Sequence, residues 1–324
     1  MTIDKSIIGR IKGCLYGQAI GDALGFGTEG MAKREVKINY PDGLKRFDEV
    51  HQDDRRKGWP IGAWTDDTEM MISILDYIIH CMPGSVSPPV LASYFLSFYD
   101  KWGHTCGILT QKVLNFAPPV YKTDPISVSK LVWQLKGKNN APNGGLMKTA
   151  IVGLWPFEVV ENSSTICQMT HYDNRCVCSC ILVSLIIYNL VWNNKSLDVE
   201  ELLSIGKQYD LESCKWIEEA YANSDISKLY LDDVYSMAYT YRTLSAALWA
   251  HFHAVDFESG LLKIVNEGGD ADTNAAVACA ILGAKFGYTS ISRYYIENLH
   301  NKQIYNNKIA SFINAIVSKL NNAE

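Results

Sequence analysis

Apolar side chains recur along this chain at three- and four-residue intervals, the period of a helix with one buried face. Nowhere do they alternate over a run long enough to specify a strand. The spacing predicts helices over 5–25, 68–80, 89–101, 107–116, 145–155, 172–192, 199–209, 213–222, 234–253, 258–266, 273–286 and 290–320. Segments at about 26–63 and 117–142, where HQDDRRKGWP and the start of KGKNNAPNGG concentrate charge, glycine and proline, are expected to be irregular loops beside a cleft. No internal repeat or low-complexity linker divides the chain, and its polar clusters lie far apart in sequence. The expected fold class is therefore all-α, one compact helical domain spanning residues 1–324.

Two predicted helices depart from the simple amphipathic pattern. In the first, Gly13, Gly17, Gly21 and Gly25 recur at every fourth position and form a smooth ridge on which another helix could lie close. Each glycine weakens a helix by roughly 1 kcal/mol relative to alanine, so close packing has to offset the cost. In the other, the apolar stretch 176–192 is short for a membrane span and contains Ser179, Ser184 and Asn189, so it reads as a buried helix.

Composition narrows the class further. With 48% hydrophobic and 20% charged residues, the 324-residue chain can build a large core. Its net charge of −5 offers no general attraction to nucleic acid or to an anionic membrane surface. The N-terminus mixes Asp4, Lys5, Arg10, Lys12 and Asp22 into its apolar residues and lacks a signal-peptide core. Nine cysteines, an odd number, argue against a complete disulfide framework, and Cys176, Cys178 and Cys180 read as small buried residues rather than a metal site. A cytoplasmic location is expected.

Chemistry concentrates in two fragments with the same grammar. GAWTDDTEMM places Thr65, Asp66, Asp67 and Thr68 at the start of one helical stripe, and GGDADTNAAV places Asp270, Asp272 and Thr273 at the start of another. Capping explains one acceptor per helix start but not the doubled aspartates. If the two starts meet, Asp66, Asp67, Asp270 and Asp272 converge, with Glu29 a candidate fifth. At about 4 Å and an effective dielectric of 20, each like-charged pair costs roughly 4 kcal/mol, which two divalent cations would largely cancel. The donors are hard oxygens with no histidine or cysteine beside them, which favours magnesium or manganese over zinc. From the residues alone the expectation is a two-metal hydrolytic site.

The fragments GCLYGQAIGDALGFGTEG, GAWTDDTEMM, NGGLMKTA, THYD and GGDADTNAAVACAILGAKFG, in this order, resemble the ADP-ribosylglycohydrolase family from about residue 7 to 288. The resemblance implies an all-α fold with a binuclear Mg²⁺ or Mn²⁺ cleft that releases ADP-ribose from a modified protein side chain, arginine-linked or, alternatively, serine-linked. It implies Thr65, Asp66, Asp67, Asp270, Asp272 and Thr273 as metal ligands, with Glu29, Asp67 and Asp272 catalytic. By the same matching, Gly107, Asn143, Gly144, Gly145, Met147 and His171 contact ADP-ribose. An ADP-ribosylating toxin or transferase would be the functional counterpart.

Two positions depart from the family pattern. Lys148 stands where many members carry arginine, replacing a two-pronged contact by a point charge. Thr105 stands where some bacterial members carry an aspartate, which makes Glu29 the stronger candidate for proton transfer. Two other readings compete: an ADP-ribose-binding protein or toxin antagonist without turnover, and a metal-dependent phosphohydrolase that would yield AMP. Trp59, Trp64, Trp102 and Tyr172 could stack on adenine, with core and rim packing the simpler expectation.

Overall fold

The glycine ridge determines how the molecule is assembled. The computed structural model describes residues 3–103 and 105–321, and over these residues the chain forms α-helices and short 3₁₀ turns with no strand. The helices are α1 (Lys5–Gly25), α2 (Lys33–Asn39), α3 (Asp66–Cys81), α4 (Pro88–Trp102), α5 (Ile108–Phe116), α6 (Pro118–Thr123), α7 (Pro125–Leu135) and α8 (Val159–Gln168). They continue with α9 (Asn174–Trp192), α10 (Val199–Tyr209), α11 (Glu212–Ala222), α12 (Thr240–His253), α13 (Phe257–Val265), α14 (Ala271–Phe286), α15 (Arg293–Asn298) and α16 (Lys302–Asn321).

Helices α1 and α14 cross antiparallel at the centre, backbone against backbone. A methyl group added to Gly13, Gly17, Gly21 or Gly25 would sit 2.2, 2.0, 2.2 or 2.4 Å from the carbonyl oxygen of Gly283, Cys279, Ala275 or Ala271. Both helices are buried all round in this region, and α3, α9, α12 and α13 pack around α14. The crossing brings the last turn of α1 beside the first turn of α14, and α3 begins against the same corner.

Helix α9 is long and apolar enough to cross a membrane, with a mean hydropathy of 1.8 over its most apolar window. Here 72% of that window is buried among the other helices, and Cys176, Cys178 and Cys180 lie in the core.

Several boundaries differ from the sequence expectation. The helix expected over 145–155 is instead two 3₁₀ turns, Asn143–Gly145 and Ala150–Leu154. This segment is buried on every side, so its apolar residues mimic helical periodicity without an exposed face. The expected loop 117–142 contains α6 and α7: Pro118 and Pro125 start helices rather than break them, and Asp124 caps the second by accepting from Ser127 N at 3.2 Å. Segment 26–63 likewise contains α2 and a 3₁₀ turn at Phe47–Glu49. Helix α8 had no counterpart in the expected set, residues 234–239 precede rather than open α12, and the last helix divides at Asn301, whose φ is 58°.

Candidate active site

The loops after α1 and before α14 are tied directly to each other. Gly30 N donates to Gly269 O at 2.7 Å and Gly269 N donates to Met31 O at 2.8 Å, while Thr28 Oγ1 donates to Val265 O at 2.6 Å. Gly268 and Gly269 have φ of 74° and 70°. A β-carbon on either would lie 2.3 or 2.1 Å from a backbone oxygen, so both conformation and space require glycine. The buried Arg56 donates to Phe26 O at 2.8 Å and to Glu29 O, which holds the same loop from outside. Glu29 is thereby placed beside Asp270.

The start of α3 is held by a residue of α1 to which the sequence reading assigned no role. Asp22, fully buried in α1, accepts from Thr65 N at 2.9 Å, Thr68 N at 3.0 Å and Thr68 Oγ1 at 2.6 Å. It caps a helix from another part of the chain. Replacing it by alanine would leave two buried N–H groups and a hydroxyl without an acceptor. At about 1–3 kcal/mol per orphaned group, Asp22→Ala is expected to lower stability by at least about 3 kcal/mol, measured as a lower urea midpoint with an unchanged slope. A change below about 1 kcal/mol would contradict this role.

With both helix starts fixed, the two acidic clusters meet. Thr273 Oγ1, in the first turn of α14, is 3.2 Å from both carboxylate oxygens of Asp67 in the first turn of α3. Thr65 Oγ1 lies 3.3 Å from Asp67 Oδ2. One carboxylate oxygen each from Glu29, Asp270 and Asp272 fall within 4.8 Å of one another. Asp270 occupies the N-cap position of α14 but makes no cap bond. Its Oδ2 instead accepts from Asn143 Nδ2 at 2.8 Å, and the same nitrogen donates to Thr243 Oγ1, which donates to Asn274 Oδ1, each also at 2.8 Å. Capping therefore does not explain Asp270.

Crowding has an electrostatic cost. Burial first, and then the neighbouring carboxylates, push Asp66 up to about 8 and Asp67 and Asp272 well above the carboxylate range. Burial and Asp270 raise Glu29 to about 7, against the opposing pull of its ion-pair partner Arg55. Burial likewise raises Asp22 to about 6. Such a set is stabilised by counter-charge, and its donors are carboxylate and hydroxyl oxygens throughout, a fit to hard divalent cations.

The carboxylates form one wall of a cavity of about 530 Å³, within the roughly 300–1,000 Å³ of small-molecule sites. Of the residues implicated by sequence, Glu29, Asp66, Asp67, Asp270, Asp272 and Thr273 line it, and Gly107, Asn143, Gly144, Met147 and His171 complete the wall. Thr65 and Gly145 stand behind it: Thr65 is the N-cap of α3, and Gly145 packs under the His171 ring and Cys167 Sγ. Thr105 also lines the cavity, whereas Lys148 is fully buried beneath it. None of the four aromatic residues near the motifs reaches the cavity. Trp59, Trp64 and Trp102 border a separate cavity of about 160 Å³, and Tyr172 packs on Trp133 with ring centroids 5.6 Å apart. Sequence reasoning assigned no role to the supporting groups Asp22, Arg56, Thr243 and Asn274: Asp22 and Asn274 lie inside fragments that carry the resemblance, and Arg56 and Thr243 are single polar residues of a loop and a helix.

The ADP-ribosylglycohydrolase family model matches residues 4–323. The ADP-ribosylarginine hydrolase Tri1 of Serratia proteamaculans is 23% identical over 335 aligned residues, covering 94% of this chain and 79% of its own. The ADP-ribosyl-[dinitrogen reductase] glycohydrolase of Rhodospirillum rubrum is 24% identical over 311, covering 92% of each chain. The solved structure of an ADP-ribosylglycohydrolase-related protein complex shares the fold, with a TM-score of 0.72 at 22% identity over 97% of this chain and 100% of that one.

Proposed function

Because this chain belongs to the ADP-ribosylglycohydrolase family, which makes it a glycosidic-bond hydrolase, we propose that it frees ADP-ribose from modified arginine side chains with the help of two magnesium or manganese ions. The arginine linkage is supported by the name of the Serratia relative. The single observation that carries the metal reading is the Thr273–Asp67 contact, which joins two acidic helix starts more than two hundred residues apart.

Thr65, Asp66 and Asp67 from α3 and Asp270, Asp272 and Thr273 from α14 would hold the ions. Bound there, such ions neutralise the carboxylates, orient ribose hydroxyls and water, and stabilise developing charge. The protein's own residues do the rest. Asn143 aims Asp270, Asp22 fixes the TDDT turn, and Gly144 lets backbone approach the ligand closely. Hydrolysis breaks the bond between the anomeric carbon and the guanidine nitrogen, placing the water's hydroxyl on carbon and its proton on nitrogen. Glu29, on the cavity wall, is assigned the transfer of that proton.

The protein substrate is one modified by an ADP-ribosylating toxin or transferase. A reducing, cytoplasmic setting is part of this proposal, resting on the odd number of cysteines in the sequence. The test incubates the protein with arginine-modified and, in parallel, serine-modified protein in Mg²⁺ or Mn²⁺. The expected result is a product with the mass of intact ADP-ribose, released faster from arginine and suppressed by EDTA. AMP would indicate a phosphohydrolase, ADP-ribose binding without release a binding protein, and faster release from serine a different linkage.

A further inference from the structure

Behind the cleft lies a buried lysine with no carboxylate partner among the described residues. Lys148, Thr170 and His171 are 0%, 0% and 1% exposed. Lys148 Nζ donates to Gly144 O and to Thr170 Oγ1, both at 2.8 Å, and lies 5.9 Å from the centre of the Phe95 ring. Thr170 Oγ1 is in turn 2.9 Å from His171 Nδ1. The other edge of the imidazole reaches the cavity wall at Gly144, where an added β-carbon would lie 3.1 Å from His171 Nε2. Nε2 has no hydrogen-bond partner among the described residues.

The protons can be followed along this chain. An ammonium group only donates, so Thr170 Oγ1 accepts from Lys148. The buried hydroxyl must then give its own hydrogen, and its remaining partner is His171 Nδ1. Nδ1 is therefore an acceptor. A ring nitrogen that accepts bears no proton, so the imidazole carries a single one, in keeping with burial and the charge of Lys148, which both hold it well below the usual imidazole range. That proton is on Nε2.

We propose that Lys148 and Thr170 are positioning residues that lock His171 in the Nε2–H tautomer, presenting a hydrogen-bond donor to the oxygen atoms of an anionic ligand group such as a diphosphate. This deepens the proposed function and, for the ligand, rests on it. It also gives the lysine at position 148 a role in which a point charge suffices: it touches a carbonyl and a hydroxyl, not the ligand.

The tautomer is measured without ligand. Long-range ¹H–¹⁵N correlation spectra of ¹⁵N-histidine-labelled protein, assigned with His171→Gln, are expected to show a pyridine-type Nδ1 and a pyrrole-type Nε2 for His171. Thr170→Val, close in shape but without the hydroxyl, should lose this signature and bind ADP-ribose about 10-fold more weakly, while Thr170→Ser restores both to within about 2-fold. A pyrrole-type Nδ1 in the unmutated protein would overturn the relay, as would a Thr170→Val protein with unchanged spectrum and affinity. If Thr170→Val does not fold, the unmutated spectrum alone decides. The expected signature in a protein that fails to bind ADP-ribose sustains the relay while removing the proposed function.

Discussion

Asp272→Asn is expected to lower turnover at least about 10³-fold while making the metal-free protein more stable. The two effects have one origin. Asp272 is buried beside Asp67, Asp270 and Glu29, and burial together with those carboxylates disfavours its ionised form. Its Oδ1 accepts from Thr273 N at 2.9 Å, a bond asparagine can keep. The substitution therefore removes repulsion without removing the helix-start contact, and the melting temperature in EDTA should rise by a few degrees. On the proposed two-metal reading the same change also takes away a ligand, and losing about 4 kcal/mol of transition-state stabilisation corresponds to about 10³ in rate. Stabilisation by added Mg²⁺ should shrink in step. Kinetics and melting curves with and without Mg²⁺ check both halves. Unchanged turnover, or a destabilised metal-free protein, would contradict the account.

The second large effect concerns the helix crossing that builds the site. Glycine to alanine inside a helix ordinarily stabilises by up to about 1 kcal/mol. At Gly21 the sign should reverse, because the added methyl would sit 2.2 Å from the carbonyl oxygen of Ala275, and backbone has no rotamer by which to yield. Separating α1 from α14 also shifts Asp22 and Glu29, so Gly21→Ala should cost about 3 kcal/mol or more and reduce activity with it. Gly9 is the internal control: it lies in the same helix with nothing within 4 Å of an added β-carbon. Gly9→Ala is expected to leave activity intact and stability unchanged or slightly raised. Equal responses at the two positions in chemical denaturation would show that the close crossing does not limit stability.

What could be read from sequence follows from how local each signal is. The period-four glycines announce a close helix neighbour, and the doubled aspartates at two helix starts announce a shared task, because each pattern exceeds what its own segment needs. The supports of the site carry no such excess. Asp22 is one acid in a helix, and only the fold reveals that it caps α3 from outside. Thr243 and Asn274 are ordinary residues of α12 and α14 until Asn143 connects them to Asp270. Lys148 suggested a changed ligand contact, but burial beneath Gly144 makes it a support for the wall. The segment 145–155 was misleading for the same reason: where every side chain is buried, periodicity no longer marks a helix face.

The central claim is that α3 and α14 together hold a pair of cations. Titration of the metal-free protein with Mn²⁺, followed calorimetrically and by electron paramagnetic resonance, tests it without reference to catalysis. Two equivalents should bind per chain, with uptake reduced in both Asp67→Ala and Asp272→Ala, since each removes a carboxylate from a different helix start. No uptake by the unmutated protein, or uptake that neither substitution alters, would contradict it.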